Sequence, residues 1–256
     1  MKPKLIKIPR RLLLKAGAHI IVPGSTLGGT RKSTMIITVA CVCALAGLNC
    51  TVVSLDLYNQ PLQLALGDVV AISSITSECG RQSLQEIFEQ AKTNNSIILM
   101  DMPGVLPGLP ETQDAIRSYC DLYDSVSMIA PISSDKWDQE CAFSAIELLQ
   151  PDRVLVSYCE MLTCRKLPPT IKEELSQYPY WESSRWVQGM KDVAGHRGAY
   201  ADLPALTKIP AYLAEKTKEL DTLAELDLED FMHDIEIAGG AIYTHLLEPI
   251  TTVVES

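Results

Sequence analysis

Short apolar runs alternate with longer helical patterns up to about residue 160, and this alternation restricts the fold more than any other feature of the sequence. Strands that alternate with helices predict a three-layer α/β architecture, in which a mainly parallel sheet carries helices on both faces. The predicted strands are His19–Pro23, Thr51–Leu55, Ser96–Met100, Ser125–Ala130 and Val154–Ser157. The predicted helices between them are Ser33–Leu48, Leu84–Lys92, Glu111–Leu122 and Asp135–Leu149.

Beyond about residue 160 the alternation weakens, and residues 165–210 contain five prolines. Two further helices are predicted, at Tyr212–Leu226 and Leu228–Leu247. A chain of 256 residues is long enough to bury a complete core. We therefore expect a single domain over residues 18–256, preceded by a basic N-terminal leader over residues 1–17.

The charge is distributed unevenly along the chain. Residues 1–17 carry six basic and no acidic side chains, which leaves 16 basic and 32 acidic side chains, a net charge of −16, for the rest. Because phosphate contacts dominate nucleic-acid affinity, the acidic body disfavours broad nucleic-acid binding. The basic leader could contact DNA or an anionic lipid surface, or it could be only solvated.

The eight cysteines do not form the pattern of a disulfide scaffold or of a zinc site. No apolar run reaches the roughly 18 residues of a membrane span, since the longest, Met35–Leu48, is shorter and contains Thr38 and Gly47. The basic start lacks the apolar region and cleavage site of a signal peptide. These features predict a cytoplasmic protein with reduced thiols and no membrane span.

A segment rich in glycine, serine and threonine, Pro23–Thr34 (PGSTLGGTRKST), follows the first strand and opens the first helix. A phosphate-binding loop requires this context. Backbone N–H groups at a helix N-terminus bind anions, and glycines allow the close approach of the backbone. Anion or nucleotide binding is therefore predicted here.

Three segments of this chain resemble, in the same order, three motifs of one protein family. Leu27–Thr34 is similar to the deviant Walker A motif, K-G-G-x-G-K-(S/T)-T, of the ParA/MinD family of P-loop ATPases. Leu55–Gln60 (LDLYNQ) resembles the D-x-D-P-Q segment of that family, and Ile97–Gly104 (IILMDMPG) resembles its Walker B strand. The resemblance covers roughly residues 18–160 and implies a P-loop NTPase-like fold that binds ATP or ADP with Mg²⁺.

The resemblance also implies roles for individual residues. It places around the nucleotide Gly28, Gly29, Thr30, Arg31, Lys32, Ser33 and Thr34. Lys32 would hold the β- and γ-phosphates, Thr34 the α-phosphate, and Ser33 the magnesium ion. Asp101 would reach the metal through water, and Asp56 would lie in the first switch. The implied catalytic residues are thus Lys32, Asp56 and Asp101, and the implied metal residues are Ser33 and Asp101.

The chain departs from the family pattern at several positions. Leu27 replaces the lysine that reaches across the dimer to the partner's phosphates, and Thr26 replaces the first glycine. Arg31 replaces the glycine before the P-loop lysine, and Tyr58 replaces the second aspartate, which the family associates with the attacking water. Phosphoryl transfer depends mainly on positioning and charge stabilisation, so these changes predict slow hydrolysis.

The family role is to position or segregate cargo, such as plasmid DNA or a conjugation complex, through nucleotide-controlled homodimerisation with a partner adaptor or cargo protein. One alternative is a catalytically dead adaptor that binds a protein partner on the same fold. Another is a small-molecule kinase or synthetase of the wider fold. Membrane docking through the C-terminus, as in MinD, is disfavoured, because the tail Thr251–Ser256 has only Glu255 as a charged side chain.

Overall fold

The computed structural model describes residues 11–25, 32–55, 62, 70–74, 77–102, 110–133, 135–158, 173, 175–182 and 238–254. The strands are β1 (Leu12–Leu14), β2 (His19–Pro23), β3 (Cys50–Ser54), β4 (Val70–Ile72), β5 (Ile97–Asp101), β6 (Ser125–Ile132), β7 (Arg153–Tyr158), β8 (Tyr180–Glu182) and β9 (Thr251–Val253). The helices are α1 (Lys32–Leu45), α2 (Glu78–Thr93), α3 (Pro110–Cys120) and α4 (Lys136–Leu149). Residues 238–250 form a closing helical segment, which passes through a π-helical turn at Tyr243–Leu247 and a 3₁₀ turn at Glu248–Ile250.

Seven strands form one sheet in the order β4-β3-β5-β2-β6-β7-β8, and every neighbouring pair in it is parallel. β2 lies between β5 and β6, with Ile21 opposite Leu99 on one side and Ser127 on the other. After β2 the chain forms β3 and β4 on one side of it, and β5 then fits between β2 and β3. The next strand, β6, pairs with the opposite side of β2, so the strand order reverses at β2. Parallel sheets bind ligands where the order reverses in this way, at the carboxyl ends of the strands.

Helices cover both faces of the sheet. Successive side chains of a strand point to opposite faces, so Ile21 joins one core cluster, whereas Ile20 and Val22 join another. The first cluster contains α1 and the closing helical segment, and the second contains α2, α3 and α4. The predicted three-layer architecture is thus confirmed.

The helix α1 is buried on all sides. From Met35 to Cys43, every described side chain of this helix is at most 3% exposed. A helix without a polar face is stable only inside a protein, and α1 is enclosed by the sheet, the closing helical segment, Leu12 and Leu14.

The helix α2 is buried on one side only, and a serine side chain caps its N-terminus. Leu84, Phe88 and Ala91 are its buried residues. Ser77 accepts a hydrogen bond at its side chain from the Gly80 N–H, at 3.1 Å, which satisfies one of the donors that every helix start leaves free.

Four short strands were absent from the sequence prediction, namely β1, β4, β8 and β9. β1 and β9 form a separate antiparallel ribbon, in which Leu12 is opposite Val253 and Leu14 is opposite Thr251. Part of the predicted leader is therefore a strand attached to the domain, while the proposed boundary at residue 17 stays a prediction. The predicted helix Tyr212–Leu226 lies outside the described residues, and Leu228–Leu247 is described only from residue 238.

Within the part of the chain that the structure describes, no helix is both long enough and apolar enough to cross a membrane.

Candidate functional site

The predicted phosphate loop leaves the central strand β2 at its carboxyl end. Gly24 follows Pro23, and its N–H donates to the Ile129 carbonyl of β6 at 2.7 Å. A Cβ atom at Gly24 would meet the Met128 side chain too closely to fit without a shift. Glycine therefore allows the chain to leave the sheet against β6. The next residue, Ser25, is buried, and residues 26–31 lie outside the described residues.

Lys32 is the first residue of α1, and its side chain is only 6% exposed. A positive charge at a helix N-terminus is unfavourable, because the helix dipole is positive there. Backbone N–H groups at the same helix start bind anions, so a lysine at this place suits the binding of an anion.

Ser33 and Asp101 meet beside Lys32. The Ser33 hydroxyl donates to the Asp101 Oδ2 at 2.5 Å, and the Met102 N–H donates to the Oδ1 of the same carboxylate at 3.0 Å. Asp101 is the last residue of β5, opposite Ser54 of β3, and it is 1% exposed. Pairing of β5 beside β2 thus brings together two residues that are 68 positions apart in sequence.

The hydroxyl and carboxylate oxygens of this pair fit a magnesium ion, which prefers hard oxygen ligands. Magnesium usually takes only one or two protein oxygens and completes its shell with water and substrate phosphates. No group of three or more His, Cys, Asp or Glu side chains that could hold a metal occurs among the described residues. The pair Ser33 and Asp101 supplies two oxygens of the kind that magnesium binds together with phosphate oxygens.

A second polar cluster, at the carboxyl end of β6, was missed by sequence reasoning. The Ser133 hydroxyl donates to the Asp138 Oδ2 at 2.5 Å and accepts from the Asp135 N–H at 3.1 Å. Asp135 in turn caps α4 by accepting from the Trp137 N–H at 2.7 Å. The sequence signal is the Ser133-Ser-Asp135 run before a helical pattern, which is typical of a helix cap. This cluster orders the start of α4 at the carboxyl end of β6, the strand that neighbours β2.

The structure does not test the roles of the remaining predicted site residues. Gly28, Gly29, Thr30, Arg31 and Asp56 lie outside the described residues. Thr34 lies in the first turn of α1. The roles assigned to all of these residues stay predictions.

Two of the described cysteines are poorly suited to nucleophilic chemistry. Burial raises the pKa of the Cys41 and Cys120 thiols to about 12. A thiol with so high a pKa is protonated at neutral pH and is a poor nucleophile.

The fold defines the class of protein. No protein-family model and no curated protein matches this sequence. Solved structures do match it, and they have the fold of P-loop NTPases. A ParA family ATPase from Chlorobium tepidum matches with a TM-score of 0.51 and 10% identity, over 78% of this chain and 99% of that chain. A chain of the MinC:MinD cell division protein complex from Aquifex aeolicus matches with a TM-score of 0.52 and 13% identity, over 80% and 97% respectively.

The MinD cell division protein from Aquifex aeolicus also matches, with a TM-score of 0.50 and 13% identity, over 83% of this chain and 94% of that chain. A match to FtsY from Mycoplasma mycoides spans only 57% of this chain and 53% of that chain, at a TM-score of 0.43. This chain therefore has the fold of the ParA/MinD ATPases, as its three motifs predicted. At these identities the likeness establishes the fold alone.

Proposed function

We propose that this protein is a nucleotide-dependent switch, which binds ATP or ADP with Mg²⁺ at the carboxyl end of β2. The observation that carries the proposal is the hydrogen bond between Ser33 and Asp101 beside the buried Lys32. These three groups occupy the place where the sheet order reverses and α1 begins. A cation, a hydroxyl and a carboxylate at such a place suit a phosphate chain and its metal.

Each of the three residues has a distinct part in the proposal. Lys32 binds the phosphates together with the backbone amides at the start of α1. Ser33 and Asp101 would hold the magnesium ion, which supplies neutralisation of the phosphate charge when it is bound. The Met102 N–H keeps the Asp101 carboxylate oriented, because it occupies the second oxygen.

We further propose that hydrolysis is slow and that the bound nucleotide controls association. Leu27 and Tyr58 stand where the family has its trans-acting lysine and second aspartate, and the loss of such groups slows phosphoryl transfer. Solved structures of the same fold include a ParA family ATPase and the MinC:MinD cell division protein complex. They support a role in plasmid partition, conjugation or cargo positioning, as a homodimer with a partner adaptor or cargo protein. The free cysteines of the described chain support a cytoplasmic location.

Calorimetric titration with magnesium–ATP and magnesium–ADP tests the nucleotide site. Lys32→Ala should weaken binding about 10- to 100-fold, the typical loss for a hydrogen bond to a charged group. Lys136→Ala is a matched control, because Lys136 also begins a helix but its side chain is 88% exposed. Equal affinity of the Lys32→Ala variant and the original protein would contradict the proposal. Absence of binding even at millimolar nucleotide would favour the adaptor that binds a protein partner on the same fold.

A further inference from the structure

The ribbon of β1 and β9 has an outward face that makes no contribution to the core. Along β1, Leu12 and Leu14 are buried, whereas Arg11, Leu13 and Lys15 are exposed. This alternation is the period of a strand with one face inside and one outside. A basic, an apolar and a basic side chain therefore stand in a row on the outside of the protein.

The strand β9 extends this outward face. Thr252 is opposite Leu13, and the Val254 N–H donates to the Arg11 carbonyl at 3.2 Å. On this face Leu13 is 56% exposed and Val254 37%, whereas Val253 is opposite Leu12 and lies on the other face of the ribbon. In the described part of the chain, six large apolar side chains are exposed, and Leu13 and Val254 are the two on this face. Exposed apolar side chains that share one face are a feature of interaction surfaces.

The charge around the ribbon has one predominant sign. Residues 11–15 and 251–254 contain two basic and no acidic side chains, with Glu248 and Glu255 as the nearest acids in sequence. The ten residues before Arg11 add four more basic side chains and no acid. Since the chain after residue 17 has a net charge of −16, an anionic surface would be repelled by the body and attracted at the ribbon.

We propose that the outward face of the ribbon docks on an anionic lipid surface. Basic side chains are attracted to acidic headgroups, and apolar side chains gain by leaving water for the boundary of the acyl chains. Duplex DNA would use only the basic side chains, because its backbone offers phosphates and no apolar layer. The exposure of Leu13 and Val254 on this face is therefore the feature that favours lipid over nucleic acid.

The proposed docking face is remote from the proposed nucleotide site. The Leu12 N–H donates to the Ala46 carbonyl at 3.1 Å, directly after the end of α1, whereas Lys32 begins that helix. A helix of 14 residues is about 20 Å long. Lipid and nucleotide can therefore be bound at the same time, at opposite ends of α1.

Sedimentation with vesicles tests the docking face, with vesicles of phosphatidylcholine alone compared with equal parts of phosphatidylcholine and phosphatidylglycerol. We expect binding only to the second kind, weakened by added salt. The double variant Leu13→Thr with Val254→Thr should bind about tenfold more weakly, because it keeps strand propensity and removes apolar area. Arg11→Gln should bind about fivefold more weakly. Leu122→Thr, at another exposed leucine, should bind like the original protein.

The same proteins are titrated with a labelled DNA duplex, and all assays are run without nucleotide. The vesicle result therefore does not depend on whether the protein binds nucleotide. The Lys32→Ala variant should sediment with anionic vesicles to the same extent as the original protein. Lack of sedimentation with the anionic vesicles would overturn the proposal. Equal sedimentation of the double variant and the original protein would also overturn it. If the original protein binds DNA but not the vesicles, and the double variant still binds DNA, the ribbon would be a nucleic-acid contact instead.

Discussion

Aspartates stand at both ends of the parallel sheet, but their surroundings differ. At the amino end, Asp124 Oδ2 accepts from the Ala18 N–H at 2.7 Å, and Asp152 Oδ2 accepts from the Val126 N–H at 2.8 Å. These carboxylates satisfy the backbone of entering strands, and the fold accounts for them. At the carboxyl end, Asp101 accepts from the Ser33 hydroxyl next to Lys32 and is almost fully buried. A buried lysine, a hydroxyl and a carboxylate are thus grouped at one helix start, where backbone N–H groups bind anions.

The largest effect should follow from a change at the carboxyl end. Asp101→Asn keeps the size of the side chain and an oxygen that accepts from Met102, so the free energy of unfolding should change little. The affinity for magnesium–nucleotide should fall about 10- to 100-fold, as it does when a group that orients a metal is removed. Calorimetry with and without EDTA measures the magnesium-dependent part, and Asp152→Asn serves as the control. A magnesium-dependent affinity that survives in Asp101→Asn would remove this residue from the site.

The opposite pattern is expected at the amino end. Asp124→Ala removes the acceptor of the Ala18 N–H, and Ala18 is only 5% exposed. The free energy of unfolding should fall by about 1 kcal/mol, because a buried donor is left without its partner. Urea unfolding measures this loss, and nucleotide affinity should not change. A loss of nucleotide affinity without a loss of stability would show that the two ends are not separate in function.

The smallest effect should appear in the dependence of stability on pH. Burial lowers the pKa of His19 below its usual 6.5, and the charges of Arg153 and Lys15 act in the same direction, whereas the hydrogen bond to the Lys15 carbonyl and the charge of Asp124 act in the opposite direction. The His19 Nε2–H donates to the Lys15 carbonyl at 3.3 Å, while the buried Nδ1 has no hydrogen-bond partner. Protonation at Nδ1 would therefore create a buried N–H group without a hydrogen-bond acceptor.

The sign of this effect follows from the lowered pKa. The folded state binds fewer protons than the unfolded state between the two pKa values, so the free energy of unfolding should fall as the pH drops below about 6.5. His19→Gln should remove this part of the slope. Urea unfolding between about pH 7 and about pH 5 measures it as the difference between the two proteins. Parallel curves for both proteins would show that His19 does not contribute.

The central fold and the core of the candidate site were accessible from the sequence. The five long strands are predicted because their apolar runs are local signals, and Lys32, Ser33 and Asp101 belong to motifs with known context. The short strands β1 and β9 have no such signal. Leu12–Leu14 lies in a basic segment, and its strand conformation depends on a partner that is more than 200 residues away. The Ser133 cluster is equally hard to predict, because serine and aspartate begin many helices.

The pairing of β1 with β9 also has a consequence for biosynthesis. The Thr252 hydroxyl donates to the Leu13 carbonyl across 239 residues. At a translation rate of about 5–20 residues per second, the partner of β1 follows it from the ribosome after roughly 10–50 seconds. During this interval the side of α1 that Leu12 covers is without its complete cover. The nascent chain therefore leaves α1, the most apolar of the four helices α1–α4, partly uncovered until β9 has emerged, and a chaperone would be expected to bind there.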